Sequence, residues 1–323
     1  LLDTSIQSTL SNETSFILGS SYDSLQGDNV SAGTLNTDID SWRYTAYSQV
    51  NHKVSSSGRL IAGIQYHTTK EGHSDASPRA MYIHTLNHQH TIKAGYDEAY
   101  RSPFGLDLFL KASFLQGDAE LEPETIRTYS IQHSFSSPSI YLASTLYSSR
   151  QENMIVRDET LSPVTLKNAG HMDYAGIEFE HQWKISNNWN WEGNISYQEN
   201  TNESNESGDG IAPNWMIKQG IDVQWNTTQL GIYASYFGSP SDPAKLNPAV
   251  IEANPDPGSH TSVSLHLKQS LEPWLKSKDW FVSLYMDNTL DEKTYYPEIA
   301  RKKVNSYPFK ERRAVYLMLD YAP

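Results

Sequence analysis

The sequence predicts an all-β protein whose antiparallel strands cross a membrane as a β-barrel. Apolar and polar residues alternate with a period of two along much of the 323-residue chain, as in strands with one apolar face. The mean hydropathy is −0.59. The longest clearly apolar run, at 314–319, is about six residues, whereas a transmembrane helix needs about 20. A barrel accommodates both observations, because its strands span about 10 residues and enclose a polar interior.

The alternation is clear in the segment 215–225. Its apolar side consists of Trp215, Ile217, Ile221, Val223 and Trp225, and polar residues lie between them. The same pattern recurs at 175–183 and 314–321. About fourteen strands are predicted in this way. They lie near 13–23, 42–54, 58–68, 78–87, 89–98, 124–136, 139–150, 172–185, 188–199, 213–226, 228–238, 259–270, 278–288 and 312–321.

The predicted connections alternate in length. Short turns are expected near 55, 87, 137, 187 and 226. Long polar loops are expected at 24–41, 69–77, 99–123, 151–171, 200–212, 239–258 and 289–311. Outer-membrane barrels have this organisation, with short periplasmic turns and longer extracellular loops. A soluble β-sandwich has no reason to place every long loop at one end, so the barrel is favoured over the sandwich.

Tryptophan positions support the barrel. Six tryptophans are predicted near strand ends: Trp42, Trp183, Trp189, Trp191, Trp225 and Trp280. An indole has an apolar body and one polar N–H, which suits the boundary between lipid and water. We expect these six in the aromatic girdles of the barrel. Tryptophans of a sandwich core would more often lie in the middle of a strand.

Composition excludes several functional classes. Without cysteine, the chain has no disulfide framework, thiolate metal site or cysteine nucleophile. The net charge of −13 argues against nucleic acid as a partner. His88 and His90 have a spacing that can bind a metal on one strand face, but no third ligand is nearby. We therefore expect surface histidines there, with no metal site and no cofactor.

Four segments occur in an order that is typical of one family. They lie at 99–103 (AYRSP), 118–125 (DAELEPET), 168–180 (NAG and then YAGIEFE) and 287–295 (DNTLDEKTY). Together they resemble the motifs of TonB-dependent receptors, and the resemblance covers residues 59–321. It implies a barrel of 22 strands around an amino-terminal plug domain.

The resemblance also predicts what the chain contains. Residues 1–323 are expected to be one β-barrel region, the carboxy-terminal part of the barrel, with the plug domain absent. The segment 3–10 is a candidate fifteenth strand. At about 23 residues for each strand with its loop, 22 strands would need roughly 500 residues. We expect the chain to be incomplete, with Leu1 near the outer rim.

Most motif residues are expected to shape strands and loops rather than to perform chemistry. This structural set consists of Pro103, Leu121, Pro123, Glu124, Asn168, Gly170, Gly176, Asn288, Leu290, Asp291 and Tyr295. Gly176 marks a position where a side chain in the lumen would not fit. Glu178 and Glu180 share a strand face, which we interpret as a hydrated lumen wall rather than a hydrolase site. No catalytic residue is expected, and the protein is not predicted to be an enzyme.

Tyr100 and Arg101 are the candidate ligand-binding residues, because they end a strand that enters a large outer loop. Arg101 has an alternative, structural interpretation in which it pairs with a carboxylate of the same loop. Haem receptors of this family carry a histidine between the first two motifs. The interval 104–116 contains none, so haem is disfavoured as the ligand.

The resemblance implies an outer-membrane receptor for energised uptake of a scarce ligand, such as a siderophore or another metal chelate. Its expected partners are outer-membrane lipid, TonB acting through an upstream plug, the ligand, and the amino-terminal part of the barrel. Two alternatives stay open. One is a passive channel of 14 strands closed by this chain alone. The other is a receptor-derived barrel with a structural or adhesive role in an envelope assembly.

Overall fold

The computed structural model describes residues 1–32, 35–70, 72–113, 115–158, 160–203, 212–239, 258–295 and 312–322. Over these ranges the chain is almost entirely antiparallel sheet. None of the helices found there is both long and apolar enough to cross a membrane.

One sheet of the described residues contains fifteen strands, arranged in chain order. They are β1 (Leu2–Ser11), β2 (Thr14–Ala32), β3 (Leu35–Lys53), β4 (Gly58–Thr69), β5 (Ser74–Thr85), β6 (His90–Arg101), β8 (Glu124–Ser136), β9 (Ile140–Glu152), β12 (His171–Ser186), β13 (Trp189–Asn202), β14 (Trp215–Trp225), β15 (Thr228–Phe237), β16 (His260–Ser270), β17 (Trp280–Asp287) and β18 (Ala314–Tyr321). A second, three-stranded sheet contains β7 (Leu115–Gln116), β10 (Ile155–Asp158) and β11 (Val164–Asn168). Two short helices are α1 (Gly105–Phe109) and α2 (Glu272–Leu275).

The antiparallel strands that were predicted for a membrane barrel are confirmed. All fourteen predicted strands are present, and the candidate fifteenth is β1. Two predicted long loops are wrong. Much of the segment 24–41 continues β2 and β3, which pair as far as Ala32 and Leu35, and β5 begins at Ser74 inside the predicted loop 69–77. Most residues of these extensions are polar in the sequence, so no clear alternation of apolar and polar residues predicts them.

The two faces of the large sheet differ in chemistry, as the alternation predicts. One face carries large exposed apolar side chains, among them Leu18, Ile64, Ile131, Ile177 and Leu317, and we call it the outward side. The opposite, lumen side is polar. There, Thr128 and Ser149 are joined by a 2.8 Å hydrogen bond, and Gln132 donates to Thr145 at 3.0 Å. The outward side is the surface suited to lipid.

The two ends of the sheet also differ. Two-residue connections such as 187–188 and 226–227 lie at one end, where Asn226 adopts a positive φ of 46°. The segments 102–123 and 153–170 join strands at the opposite end. We call these the short-turn end and the long-loop end. In an outer-membrane barrel they correspond to the periplasmic and extracellular sides.

Five of the six tryptophans lie near strand ends and one does not, and their place in aromatic girdles stays a prediction. Trp183, Trp189, Trp191, Trp225 and Trp280 lie within the last or first few residues of their strands at the short-turn end. Trp42 lies well inside β3, which begins at Leu35, because β2 and β3 extend beyond the predicted strand ends. Its ring stacks on Tyr22 with centroids 6.5 Å apart.

The described sheet is open. β1 pairs with β2 and β18 pairs with β17, and the order of strands contains no pairing between β1 and β18. Each of these strands therefore has one edge without a neighbour among the described residues. This arrangement is not the closed 14-stranded ring of the passive-channel alternative.

Candidate ligand-binding site

The connections 102–123 and 153–170 pack together at the long-loop end into a small substructure, which we call the outer lid. It consists of α1, β7, β10 and β11. β11 pairs with β10 on one side and β7 on the other, so the lid unites two separate connections. Leu121 is 1% exposed, and Leu108, Ala112 and, at the start of β12, Met172 are also buried. Pro103 is buried as well, at the entrance to the lid.

Asn168 fastens the two connections to each other. Its side-chain amide donates to the backbone oxygens of Glu122 at 2.9 Å and Asn153 at 2.8 Å, and its Oδ1 accepts the N–H of Glu122 at 2.7 Å. Nearby, Gly170 adopts a φ of +72°, a conformation that side chains disfavour. These two residues therefore fix the path of the chain from β11 into β12. Pro123 directly precedes β8 and is half-buried.

Arg101 lies at the base of the lid and is bound by two carboxylates. Its Nε donates to Glu124 Oε2 at 2.6 Å, and its Nη1 lies 3.3 Å from Asp107 Oδ2. Glu124 is buried, and its other oxygen accepts the backbone N–H of Ile155 at 2.6 Å. This is the arrangement expected by the structural interpretation of Arg101. Its role in binding a ligand stays a prediction.

Tyr100 lies on the lumen side at the end of β6, although strict alternation from Tyr96 would place it on the outward side. Its ring lies 4.8 Å from that of His67 on β4, measured between centroids. His67 is 1% exposed, and its Nε2 lies 3.0 Å from Ser102 Oγ, where the chain leaves β6 for the lid. The His67 Nδ1 atom is buried and has no hydrogen-bond partner in the described part of the chain. A buried polar atom of this kind is usually hydrogen-bonded by water or by another polar group.

A cavity of about 330 Å³ opens beside Tyr100 and His67, and we call it the outer lumen pocket. Its wall also includes residues from β2, β3 and β4: Ser21, Asp23, Arg43, Thr45, Tyr47 and Gln65. Arg43 Nη2 donates to Asp23 Oδ2 at 2.7 Å, and both side chains are partly exposed. The wall thus offers a guanidinium, two phenols, an amide and an imidazole to a polar ligand.

A second cavity of about 450 Å³ lies farther along the lumen. Glu180, Glu192 and Lys218 line it together with Gln182 and Tyr233. Glu180 therefore faces the lumen, as its strand pattern predicts. Asp222 on β14 also lies on the lumen side, and it accepts a 2.7 Å hydrogen bond from the Tyr233 hydroxyl.

Gly176 lies under an aromatic ring. A Cβ built on Gly176 would come within 2.5 Å of the Tyr147 hydroxyl oxygen, and this hydroxyl donates to Gln198 at 3.0 Å. Tyr147 thus occupies the space that a side chain at 176 would need on the lumen side.

The segment 287–295 forms a tight turn after β17. Asn288 is buried at a φ of 45°; its side chain donates to Glu292 O at 2.8 Å and accepts the Glu292 N–H at 3.0 Å. Asp291 pairs with Arg312 and accepts its Nε at 2.8 Å, which holds the pKa of Asp291 down at about 2. Leu290 is exposed and Tyr295 is half-buried.

His90 pairs with a residue that the sequence prediction did not consider. Its Nδ1 lies 3.0 Å from His133 Nε2 on β8, and the two rings stack with centroids 5.2 Å apart. The partner comes from an adjacent strand rather than from His88. Across the described residues no group of three or more His, Asp or Glu side chains is placed to hold a metal ion.

The fold and the lid define a class: an outer-membrane receptor barrel, with an outward apolar side, a polar lumen and packed outer loops. The family model described as "TonB dependent receptor-like, beta-barrel" matches residues 2–288. The chain therefore belongs to the TonB-dependent receptor-like β-barrel family, whose members are transport receptors of the outer membrane of Gram-negative bacteria. A search of curated proteins found no match.

Solved structures support the fold. The chain is similar to the siderophore receptor PirA from Acinetobacter baumannii, with a TM-score of 0.75, 14% identity, and coverage of 99% of this chain and 53% of the other. It is also similar to a mutant of the ferric enterobactin receptor PfeA from Pseudomonas aeruginosa in complex with enterobactin. The TM-score is 0.76 and the identity 14%, with coverage of 99% of this chain and 53% of the other. For the FrpB iron transporter from Neisseria meningitidis, the TM-score is 0.71 and the identity 13%, with coverage of 98% of this chain and 54% of the other. The chain spans about half the length of these structures.

Proposed function

We propose that this chain is the carboxy-terminal part of the barrel of a receptor that takes up a scarce ligand by TonB-coupled transport, and that the ligand is a siderophore or another metal chelate. Membership of the family supports a transport receptor. Structures with a similar fold are named as siderophore receptors, a ferric enterobactin receptor and an iron transporter. Those names describe the other proteins, and they support the ligand class proposed for this one.

The observation that carries the proposal is the outer lumen pocket beside the outer lid. Tyr100 and Ser102 lie where the chain enters the lid. Both contact His67, which lines the pocket. A ligand in the pocket would therefore lie against the stretch that enters the lid. Arg43 and the phenols of Tyr47 and Tyr100 can donate hydrogen bonds to the anionic oxygens of a metal chelate.

The proposed partners follow from the same mechanism. A plug domain would close the lumen, and TonB would act on that plug from the periplasm. The amino-terminal part of the barrel would pair with the open edges of β1 and β18. Outer-membrane lipid would contact the outward side.

Binding measurements test the ligand class. The receptor containing this chain should bind at least one of a panel of ferric siderophores with a saturable change in tryptophan fluorescence. Arg43→Gln should weaken that binding at least tenfold, about 1.4 kcal/mol. Arg59→Gln is the matched control, because Arg59 is exposed at the other end of the lumen side of β4.

Two results would contradict the proposal. Failure to bind any ferric chelate would favour a structural or adhesive barrel, in which a protein rather than a solute binds the outer loops. Equal loss of affinity in Arg43→Gln and Arg59→Gln would show that the outer lumen pocket is not the site.

A further inference from the structure

A group of ionisable side chains lies on the outward side of the barrel, where many residues are large and apolar. It consists of Glu98 on β6, Arg127 on β8, Arg150 and Glu152 on β9, and His171 and Asp173 on β12, and we call it the outward ion-pair belt. The alternation of side chains along β8 assigns Arg127 to the outward side. Arg127 is two residues from Tyr129, which is 62% exposed beside Ile131, whereas Thr128 hydrogen-bonds across the lumen side. Charged residues on an outward face need a specific explanation.

The belt follows one row of directly paired residues across neighbouring strands. Arg127 is directly opposite Glu98 on one side and Arg150 on the other, and Arg150 is opposite Asp173. Arg127 Nη1 lies 2.8 Å from Glu152 Oε2, and its Nε lies 3.5 Å from Glu98 Oε1. Arg150 binds Asp173 through Nε at 2.7 Å and Nη2 at 2.8 Å.

The two arginines keep capacity for a further ligand. Their side chains are 44% and 51% exposed. The contacts between described residues use two of the three guanidinium nitrogens in each, Nε and Nη1 in Arg127 and Nε and Nη2 in Arg150. A guanidinium has five N–H donors in a planar fork that matches the geometry of a phosphate group. Each arginine can therefore bind a phosphate while it keeps its carboxylate partner.

The depth of the belt places it at the outer edge of the apolar band. Two residues closer to the short-turn end on β6 and β8, the rings of Tyr96 and Tyr129 lie with centroids 5.0 Å apart, and tyrosines are enriched at membrane interfaces. From Asp173 to Trp183 along β12 the strand rises about 33 Å, which a tilt of about 40° reduces to roughly 25 Å across the membrane. That distance equals the height of the apolar band of a typical outer-membrane barrel, about 25 Å. The belt then lies in the headgroup layer of the outer leaflet.

We propose that the outward ion-pair belt binds the phosphorylated headgroups of the outer-leaflet glycolipid. Arg127 and Arg150 bind the phosphate oxygens. The carboxylates of Glu98, Glu152 and Asp173 hold the two guanidiniums in place, and they share the divalent cations that accompany the phosphates. Four strands contribute, so the lipid would be held by a surface that forms only when the barrel is assembled. This inference depends on the outer-membrane location and not on the ligand that the receptor transports.

Native mass spectrometry and vesicle binding test the proposal. The receptor containing this chain, purified in detergent, should retain bisphosphorylated lipid A at least tenfold more strongly than the same lipid after enzymatic dephosphorylation. The double variant Arg127→Gln/Arg150→Gln should lose this preference. Arg59→Gln, which removes one positive charge from the lumen side, should keep the preference. Arg127→Lys/Arg150→Lys should retain part of it, because lysine keeps the charge but not the planar fork.

The comparison of the two lipids uses the wild-type receptor and does not depend on the folding of any variant. Equal retention of phosphorylated and dephosphorylated lipid by the wild-type receptor would overturn the proposal. So would a preference that survives in a folded Arg127→Gln/Arg150→Gln variant. A loss of preference in Arg59→Gln as large as in the double variant would show that total charge, and not the belt, attracts the lipid.

Discussion

Arg101 and Glu124 form the ion pair on which the outer lid rests, with Arg101 Nε 2.6 Å from Glu124 Oε2. The second oxygen of Glu124 accepts the backbone N–H of Ile155 at 2.6 Å, and Asp107 binds the other side of the same guanidinium at 3.3 Å. One buried carboxylate thereby joins β6, β8 and β10. The lid depends on this carboxylate more than on any exposed charge in the same segment, because exposed pairs contribute little.

Replacement of that carboxylate should loosen the lid without unfolding the barrel. Glu124→Ala leaves the Ile155 N–H and the Arg101 guanidinium without their partner, which should cost about 1–3 kcal/mol locally. Hydrogen exchange of residues 153–170 should then be roughly 10–100 times faster. Glu122→Ala is the control, because Glu122 is exposed and serves Asn168 through its backbone. Unchanged exchange in Glu124→Ala would contradict this role.

Gly176 should tolerate a side chain only when the ring of Tyr147 is removed. Gly176→Ala should destabilise the barrel by about 1–3 kcal/mol, because the new methyl group displaces the ring and its bond to Gln198. In a Tyr147→Ala background the same change should cost less than about 0.5 kcal/mol. Reversible urea unfolding in lipid vesicles measures the cycle. Equal costs in the two backgrounds would show that the two residues are not coupled.

The two sides of β14 should differ in their response to a charge. Ile221 is on the outward side, four residues from Trp225, and Asp222 is on the lumen side. Ile221→Arg should cost about 2–4 kcal/mol in a bilayer, whereas Asp222→Arg should cost about 1 kcal/mol, chiefly the lost bond to Tyr233. The measurement is reversible unfolding of both variants in the same vesicles. Equal destabilisation would contradict the assignment of faces.

The outer lid should weaken at acid pH through Asp158. Hydrogen bonds from Thr160 and Lys167 lower the pKa of Asp158 from its ordinary value of 3.8 to about 2. Because the folded-state pKa is depressed, the stabilisation is complete above about pH 5 and is lost as pH falls toward 2.

Pepsin cleavage of residues 153–170 measures this effect. At pH 4 the Asp158→Asn variant should be cleaved faster than the wild type, and at pH 2 the two rates should converge. A ratio of rates that does not change between these pH values would argue against a contribution from Asp158.

The strands could be predicted because lipid and lumen impose different chemistry on the two faces of each strand. Ile177 and Glu178 differ for this reason, and so do Ile221 and Asp222. Where most residues of a strand are polar, this alternation disappears. The segment 24–41, much of which continues β2 and β3, was therefore predicted as a loop, and the short strands β7, β10 and β11 were not predicted.

The site was predictable only in part. A motif pointed to Tyr100 and Arg101, and the structural alternative for Arg101 anticipated a carboxylate partner near its loop. His67 was missed, because its contacts with Tyr100 and Ser102 join residues more than thirty positions apart. No local pattern distinguishes this histidine from the other ten in the chain. The partner of His90 was missed for the same reason, since His133 comes from a neighbouring strand.

Transport in cells with and without a protonophore tests the central claim most directly. Cells that depend on the receptor containing this chain should take up a ferric chelate with saturation at low concentration, and a protonophore should abolish that uptake. A passive barrel would instead give uptake that rises linearly with chelate concentration and is indifferent to the protonophore. That second result would contradict energised import by this receptor.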